Sequence, residues 1–138
     1  MTTGQAAVSV MSADAISHEI IKAALKVHSA LGPGLLETAY RGCLAYELRK
    51  AGFRVEIELL LPVVYDGVQL DFGYRIDMLV NDLVIVELKS VEKITSVHVA
   101  QTLSYMRLSK KQLALIINFN VLRLKDGIKR LVEGTAWK

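Results

Sequence analysis

Glu87 and Lys89 interrupt one of the most apolar runs of the chain, VIVELKS at residues 84–90. In a strand, residues two apart project to the same side, so the two charges share a face while Leu88 points away. A charge buried there must be paired, hydrogen-bonded or bound to a metal, because bare burial costs several kcal/mol. A second carboxylate, Asp77, lies ten residues earlier, across a turn at Asn81-Asp82. Register decides whether the two acids cooperate. A two-residue turn pairing Val80 with Leu83 sets Asp77 opposite Val86 and sends the acids to opposite faces. A three-residue loop, or a one-residue bulge, sets Asp77 directly opposite Glu87, with Cβ atoms roughly 5 Å apart. Repulsion in that position is relieved by a cation, and converging carboxylate oxygens suit Mg²⁺, with Mn²⁺ as its substitute. Lys89, on the same face, could pair with the acids, steer a phosphate or help activate a water. The odd register is the one predicted.

Two further groups of polar residues flank this set. His98, Gln101 and Tyr105 fall at i, i+3 and i+7 and form a polar stripe on one expected helix. A neutral amide such as Gln101 can hold an attacking water or a phosphate oxygen without competing for a metal. His98 reads as a structural or surface histidine. Glu37, in GLLETAY, sits near the start of another expected helix, where the macrodipole and exposed amides favour an acid. Arg41 lies at i+4 from it, and Tyr40, one turn on, can bury its ring and reach out with its hydroxyl.

The elements that must position these residues follow from periodicity. Residues 1 to 12 are small, polar and unpatterned and read as a loose tail, leaving 13–138 as a single domain. Ser12 or Asp14 caps a predicted helix reaching Leu31, with Ile16, Ile20, Ala24, Val27 and Leu31 on its apolar face. Gly32-Pro33-Gly34 stops it. A second helix is expected from about Leu35 to Ala51, with Leu36, Tyr40, Cys43, Leu44 and Leu48 facing inwards and Gly52 ending it. The period then turns alternating: Val55, Ile57 and Leu59 interleave with Arg54, Glu56 and Glu58. A turn is expected at Asp66-Gly67, then a strand through Tyr74, Ile76 and Met78 to Val80. A third helix spans about Thr95 to Leu108 with Val99, Leu103 and Met106 as its core stripe. LALIINF, 113–119, suits a central strand. A basic hairpin is expected to turn at Asp126-Gly127, between VLRLK and IKRLV. The order predicts an α/β fold of mixed α+β type, a central mixed sheet flanked by helices with a C-terminal β-hairpin.

Composition narrows the function classes. The chain of 138 residues is 52% apolar and 22% charged, in the range of one globular domain. No apolar run approaches the roughly 20 residues of a membrane span, and the N-terminus lacks the basic start and apolar stretch of a secretory signal. Cys43 is alone, which excludes an internal disulfide and a cysteine zinc site and fits a cytoplasmic setting. The net charge of +3 conceals an asymmetry: residues 1–88 sum to −4 and residues 89–138 to +7. Arg107, Lys110, Lys111, Arg123, Lys125, Lys129 and Arg130 make the last third a candidate polyanion-binding surface beside an acidic pocket.

Taken together these segments resemble a known family. Gly34-Leu35-Leu36-Glu37-Thr38-Ala39-Tyr40 resembles the signature of the GxxExxY protein family, a branch of the PD-(D/E)XK nuclease superfamily. The likeness runs from about His18 to Val132 and takes in VHSALGPGLLETAY, the YRID segment ending at Asp77, VELKS, QTLSY and NFNVLRLKDGIKRLV. It implies a restriction-endonuclease-like core of helix, three antiparallel strands, helix and strand. By the same resemblance Asp77 and Glu87 bind metal, the Leu88 carbonyl is a further ligand, and Lys89 is the catalytic lysine. Glu37 matches an acidic position that helps hold a metal or its water, and Gln101 matches a glutamine that follows the lysine motif. Ile76 stands where the superfamily's name has a proline. The implied function is a Mg²⁺-dependent nuclease acting on nucleic acid, DNA ahead of RNA. The competing reading is a catalytically weak or inactive module of the same fold that binds nucleic acid or protein as a homodimer.

Overall fold

A computed structural model describes residues 11–134 and contains three α-helices and seven strands. Helix α1 spans Ala13–Leu31, with the Ser12 hydroxyl accepting a hydrogen bond from the Ala15 N–H as its N-cap. Helix α2 spans Glu37–Lys50 and ends at Ala51, followed by Gly52 at φ 96°, the left-handed position a C′ glycine supplies. Helix α3 spans Ser96–Ser109 behind a capping box: the Thr95 hydroxyl accepts from the His98 N–H, and His98 Nδ1 accepts from the Thr95 N–H. No helix among the described residues is long and apolar enough to cross a membrane.

The strands are β1 (Val55–Leu60), β2 (Val63–Tyr65), β3 (Val68–Leu70), β4 (Arg75–Val80), β5 (Val84–Lys89), β6 (Leu113–Asn118) and β7 (Ile128–Val132). Five of them form a mixed sheet in the order β1-β4-β5-β6-β7, antiparallel except for the β5–β6 pair, which α3 connects. Helix α2, antiparallel β1, β4 and β5, helix α3 and strand β6 reproduce the expected core. Strands β2 and β3 make a separate two-stranded arm whose turn, Asp66-Gly67, has φ of 52° and 73° at its two central residues, as a tight hairpin requires.

The period-2 rule sorts the sheet residues between two cores. Met78, Val80, Val84, Val86, Leu88, Leu115 and Ile117 pack with Ile16, Ile20, Tyr40, Leu44 and Leu48 of α1 and α2. Leu79, Ile85, Ala114, Ile116 and Leu131 pack with Leu103, Tyr105 and Met106 of α3. Strand β5 is therefore covered on both faces, which explains its near-continuous apolar sequence.

Three expectations are corrected. VLRLK is not a strand: Leu124–Gly127 forms a 3-10 turn, and β7 makes its hairpin with β6 instead. Leu122 and Leu124 share the apparent period, yet Leu122 is exposed and Leu124 is buried against α1, α2 and β6, so no single strand face exists there. Leu36 and Cys43 are exposed, because α2 buries only the stripe through Tyr40, Leu44, Ala45 and Leu48. Leu31, at the last turn of α1, also faces outwards. Residues 1–10 of the expected tail lie outside the described residues; Met11 packs on the core, and Ser12 is the expected cap of α1.

Candidate active site

Register brings the two acids together. Strands β4 and β5 pair Met78 with Val86, Leu79 with Ile85 and Val80 with Val84, closed by the three-residue loop Asn81–Leu83. Asn81 and Asp82 take positive φ of 50° and 59°, a conformation Asn and Asp tolerate better than most residues, and the Asn81 side chain accepts from the Arg54 N–H. Continuing the pairing past Met78 sets Asp77 opposite Glu87. There the side chains replace the ladder. Glu87 Oε2 accepts from the Asp77 N–H at 2.9 Å, and Asp77 Oδ2 accepts from the Leu88 N–H at 2.9 Å. A strand residue's N–H and C=O lie along the same edge, so the Leu88 carbonyl faces the same side as the Asp77 carboxylate.

The other side of β4 is distorted at the same level. The β1–β4 pairing steps from Ile57↔Met78 to Leu59↔Ile76, passing over Glu58 and Asp77, and Glu58 takes φ 53°. Positive φ at a glutamate is strained, and here it coincides with the residue whose N–H turns to Glu87. The Glu58 carboxylate pairs with Arg41 Nη1 at 3.2 Å. That corrects the expected pairing of Arg41 with Glu37 along the helix.

Burial sets the electrostatics. Glu87 is 4% exposed, and loss of water, joined by the Asp77 charge, pushes its pKa up to about 8. Asp77 is also raised, chiefly by burial; the hydrogen bond from Leu88 and the positive charges of Lys89 and Arg41 work the other way. Among the described residues no ion pair involves either acid. The pair thus carries a charge deficit that either a proton or a cation can relieve. Two facing carboxylates with an adjacent backbone carbonyl are hard oxygen donors, which fits Mg²⁺ or Mn²⁺. No group of three or more His, Cys, Asp or Glu side chains gathers closely enough to hold a metal among the described residues.

The remaining expected residues divide into those near the pair and those away from it. Tyr105, buried against the sheet, is held above the usual phenol range by burial and then by the charges of Glu87 and Asp77, while the neighbouring Gln101 amide opposes the rise. Helix α3 therefore brings Tyr105 and Gln101 to the face carrying the acids, on which Lys89 also lies. Glu37 stands outside the carboxylate pair: its Oε2 accepts from the Ser90 N–H at 3.1 Å, though its charge still raises both acids. Tyr40 is structural. Its hydroxyl donates to the Gly32 carbonyl and accepts from the Leu35 N–H, and its ring stacks on Phe119 at 4.4 Å. His98 caps α3.

The basic residues do not form one surface around the acids. Lys111 pairs with Asp82 at 3.0 Å, beside the start of β5, and Lys110 is the left-handed C-cap of α3 at that same end. Arg130 pairs with Asp14 of α1. Arg123, Lys125 and Lys129 follow the C-terminal end of β6, the end to which Lys89 is paired through Asn118. Sequence reasoning missed Asn118. This buried side chain accepts from the Val91 N–H and donates to the Val91 carbonyl, holding the segment after Lys89. Its signal was a lone amide closing an apolar run. Ser90 was missed too; its hydroxyl donates to the Leu35 carbonyl and ties the lysine segment to the start of α2.

The family model described as the PD-(D/E)XK nuclease superfamily matches residues 14–131. No curated protein and no solved structure matches the chain.

Proposed function

Because the chain belongs to the PD-(D/E)XK nuclease superfamily, we propose that it is a divalent-metal-dependent phosphodiesterase of the GxxExxY branch that hydrolyses nucleic acid. The observation that carries this is the convergence of two buried carboxylates, Asp77 and Glu87, on the face that also carries Lys89. An uncompensated acid pair is costly to fold around, and a purely structural site gains nothing from it. Asp77, Glu87 and the Leu88 carbonyl would hold Mg²⁺ or Mn²⁺. When bound, the ion neutralises phosphate charge and lowers the pKa of water.

The chain's own residues supply the rest. Lys89 places a cation where it can hold the scissile phosphate or the attacking oxygen. Gln101 offers an amide that orients water from the α3 side, and Glu37 fixes Ser90, keeping the lysine segment in place. Arg123, Lys125 and Lys129 give sequence-neutral contacts to the phosphate backbone.

Calorimetric titration of Mg²⁺ and Mn²⁺ into the wild type and Glu87→Gln tests the site, followed by nicking assays on single-stranded, duplex and branched DNA and RNA with Lys89→Ala as control. Metal binding by the wild type and its loss in Glu87→Gln, with cleavage lost in Lys89→Ala, is expected. Absence of both metal binding and cleavage in the wild type refutes the proposal.

A further inference from the structure

Three aromatic rings form a row from the surface to the acid pair. The Phe72 and Tyr74 ring centroids are 6.3 Å apart, and those of Tyr74 and Tyr105 are 6.2 Å apart. The inner ring, Tyr105, is buried and sits within the field of Glu87 and Asp77. The outer rings are open: Phe72 is 61% exposed and Tyr74 44%. Neither belongs to either hydrophobic core.

Local backbone chemistry presents them. Asp71 Oδ1 accepts from the Gly73 N–H at 2.8 Å, and Gly73, between the two rings, takes φ 81°. That turn brings the side chains on either side of it together on one surface. Arg75, exposed, donates from Nη1 to the Tyr74 carbonyl, which holds a guanidinium beside the row.

We propose that Phe72 and Tyr74 are a stacking platform for unpaired bases, so that the substrate class of the acid site is single-stranded nucleic acid or single-stranded ends. The proposal rests on the phosphodiesterase reading and adds the substrate to it. In a duplex the base faces are covered by their neighbours, and exposed flat rings find no partner there. An unpaired base has a free π-face, and stacking on an aromatic side chain is sequence-tolerant. The row also runs towards the acids, so a base on Tyr74 draws its backbone to Asp77 and Glu87. Arg75 offers that backbone a cation beside the stack. A second copy of the chain seated on the same rings would instead close the approach to the acids.

The test uses the Asp77→Asn protein, which separates binding from cleavage. Fluorescence anisotropy at fixed salt measures the affinity for labelled oligothymidine, oligouridine and a DNA duplex. The two single strands are expected to bind more tightly than the duplex, and their relative affinities distinguish DNA from RNA. Phe72→Ala should weaken single-strand binding roughly 5- to 100-fold, Phe72→Trp should retain it, and duplex binding should not change. Equal binding of single strands and duplex, or unchanged single-strand affinity in Phe72→Ala, overturns the platform. So does a shift from dimer to monomer on sedimentation of Phe72→Ala without loss of single-strand affinity. Failure of the nuclease reading shows separately, as absence of metal-dependent cleavage by the wild type while this binding difference persists.

Discussion

Replacing Glu87 by glutamine should stabilise the metal-free protein, and by an amount that depends on pH in a defined way. In the fold the Glu87 pKa is pushed up to about 8, against 4.5 for an ordinary glutamate. The native state therefore holds a proton that the unfolded chain releases across that interval. Where the native state binds more protons, stability falls as pH rises. The Glu87 contribution to stability is accordingly largest below about pH 4.5, falls by up to about 1.4 kcal/mol per pH unit as pH rises, and levels off above about 8. At pH 7 the accumulated loss approaches about 3 kcal/mol. Glutamine does not titrate and its oxygen can still accept from the Asp77 N–H, so the variant escapes this loss. Allowing about 1 kcal/mol for exchanging the protonated acid for an amide leaves a net gain of about 2 kcal/mol at pH 7. At pH 4.5 the variant should have no advantage. Urea unfolding of both proteins in EDTA, from pH 4.5 to 8.5, reads the difference directly. A difference that is flat with pH, or that favours the wild type at pH 7, refutes the claim that Glu87 is held uncompensated in the fold. Adding Mg²⁺ at pH 8 should raise the wild-type midpoint and leave that of Glu87→Gln unchanged.

Asp77→Asn should fold normally by circular dichroism and bind no Mg²⁺ in calorimetry; unfolding would make Asp77 a structural residue instead. Tyr40→Phe removes a hydroxyl that bonds both Gly32 and Leu35. It should cost about 1–3 kcal/mol in urea unfolding, and a loss below about 0.5 kcal/mol would show that the loop before α2 does not need it. Gly127→Ala drives a Cβ into the Asn118 carbonyl oxygen. That clash with backbone should destabilise by at least about 2 kcal/mol, and an unchanged unfolding midpoint would refute the close packing of the 3-10 turn on β6.

Much of this arrangement was legible because period and punctuation agree over long stretches. Ser12, Gly52 and Thr95 mark helix ends by mechanisms that act within a few residues, and all three lie where the sequence puts them. The facing of Asp77 and Glu87 was legible for a different reason. Only one of the two registers lets both acids share a face while Leu79 and Ile85 stay buried with them on the α3 side. What escaped the sequence depends on distant neighbours. Arg41 prefers Glu58 on β1 to Glu37 one turn back, because the bent strand brings that carboxylate close. Of the candidate basic residues of the last third only Lys129 and Arg130 lie on a strand, where alternation separates them: Lys129 stands opposite Ile116, whereas Arg130, opposite Leu115, reaches α1. VLRLK has the alternation of a strand, but Leu124 is buried while Leu122 is exposed, so the segment has no common apolar face to pack.

The unfavourable features of the fold are concentrated at one level of the sheet. Glu58 adopts a strained φ, the pairing lapses on both sides of Asp77, and two acids are packed where burial pushes both towards protonation. Directly beside them, β5 and β6 are buried over almost their whole length and flanked by helices on both faces. That core is what allows the acids to stay in place without a partner of their own. If they were only a defect, the simplest relief would be an arginine between them, and Arg41 is close enough to lower the Asp77 pKa. It is held instead by Glu58, and among the described residues no ion pair joins a basic side chain to either acid. Glu58 thus does two things at once: its conformation coincides with the release of the Asp77 N–H to Glu87, and its carboxylate occupies the cation that would otherwise quench the pair.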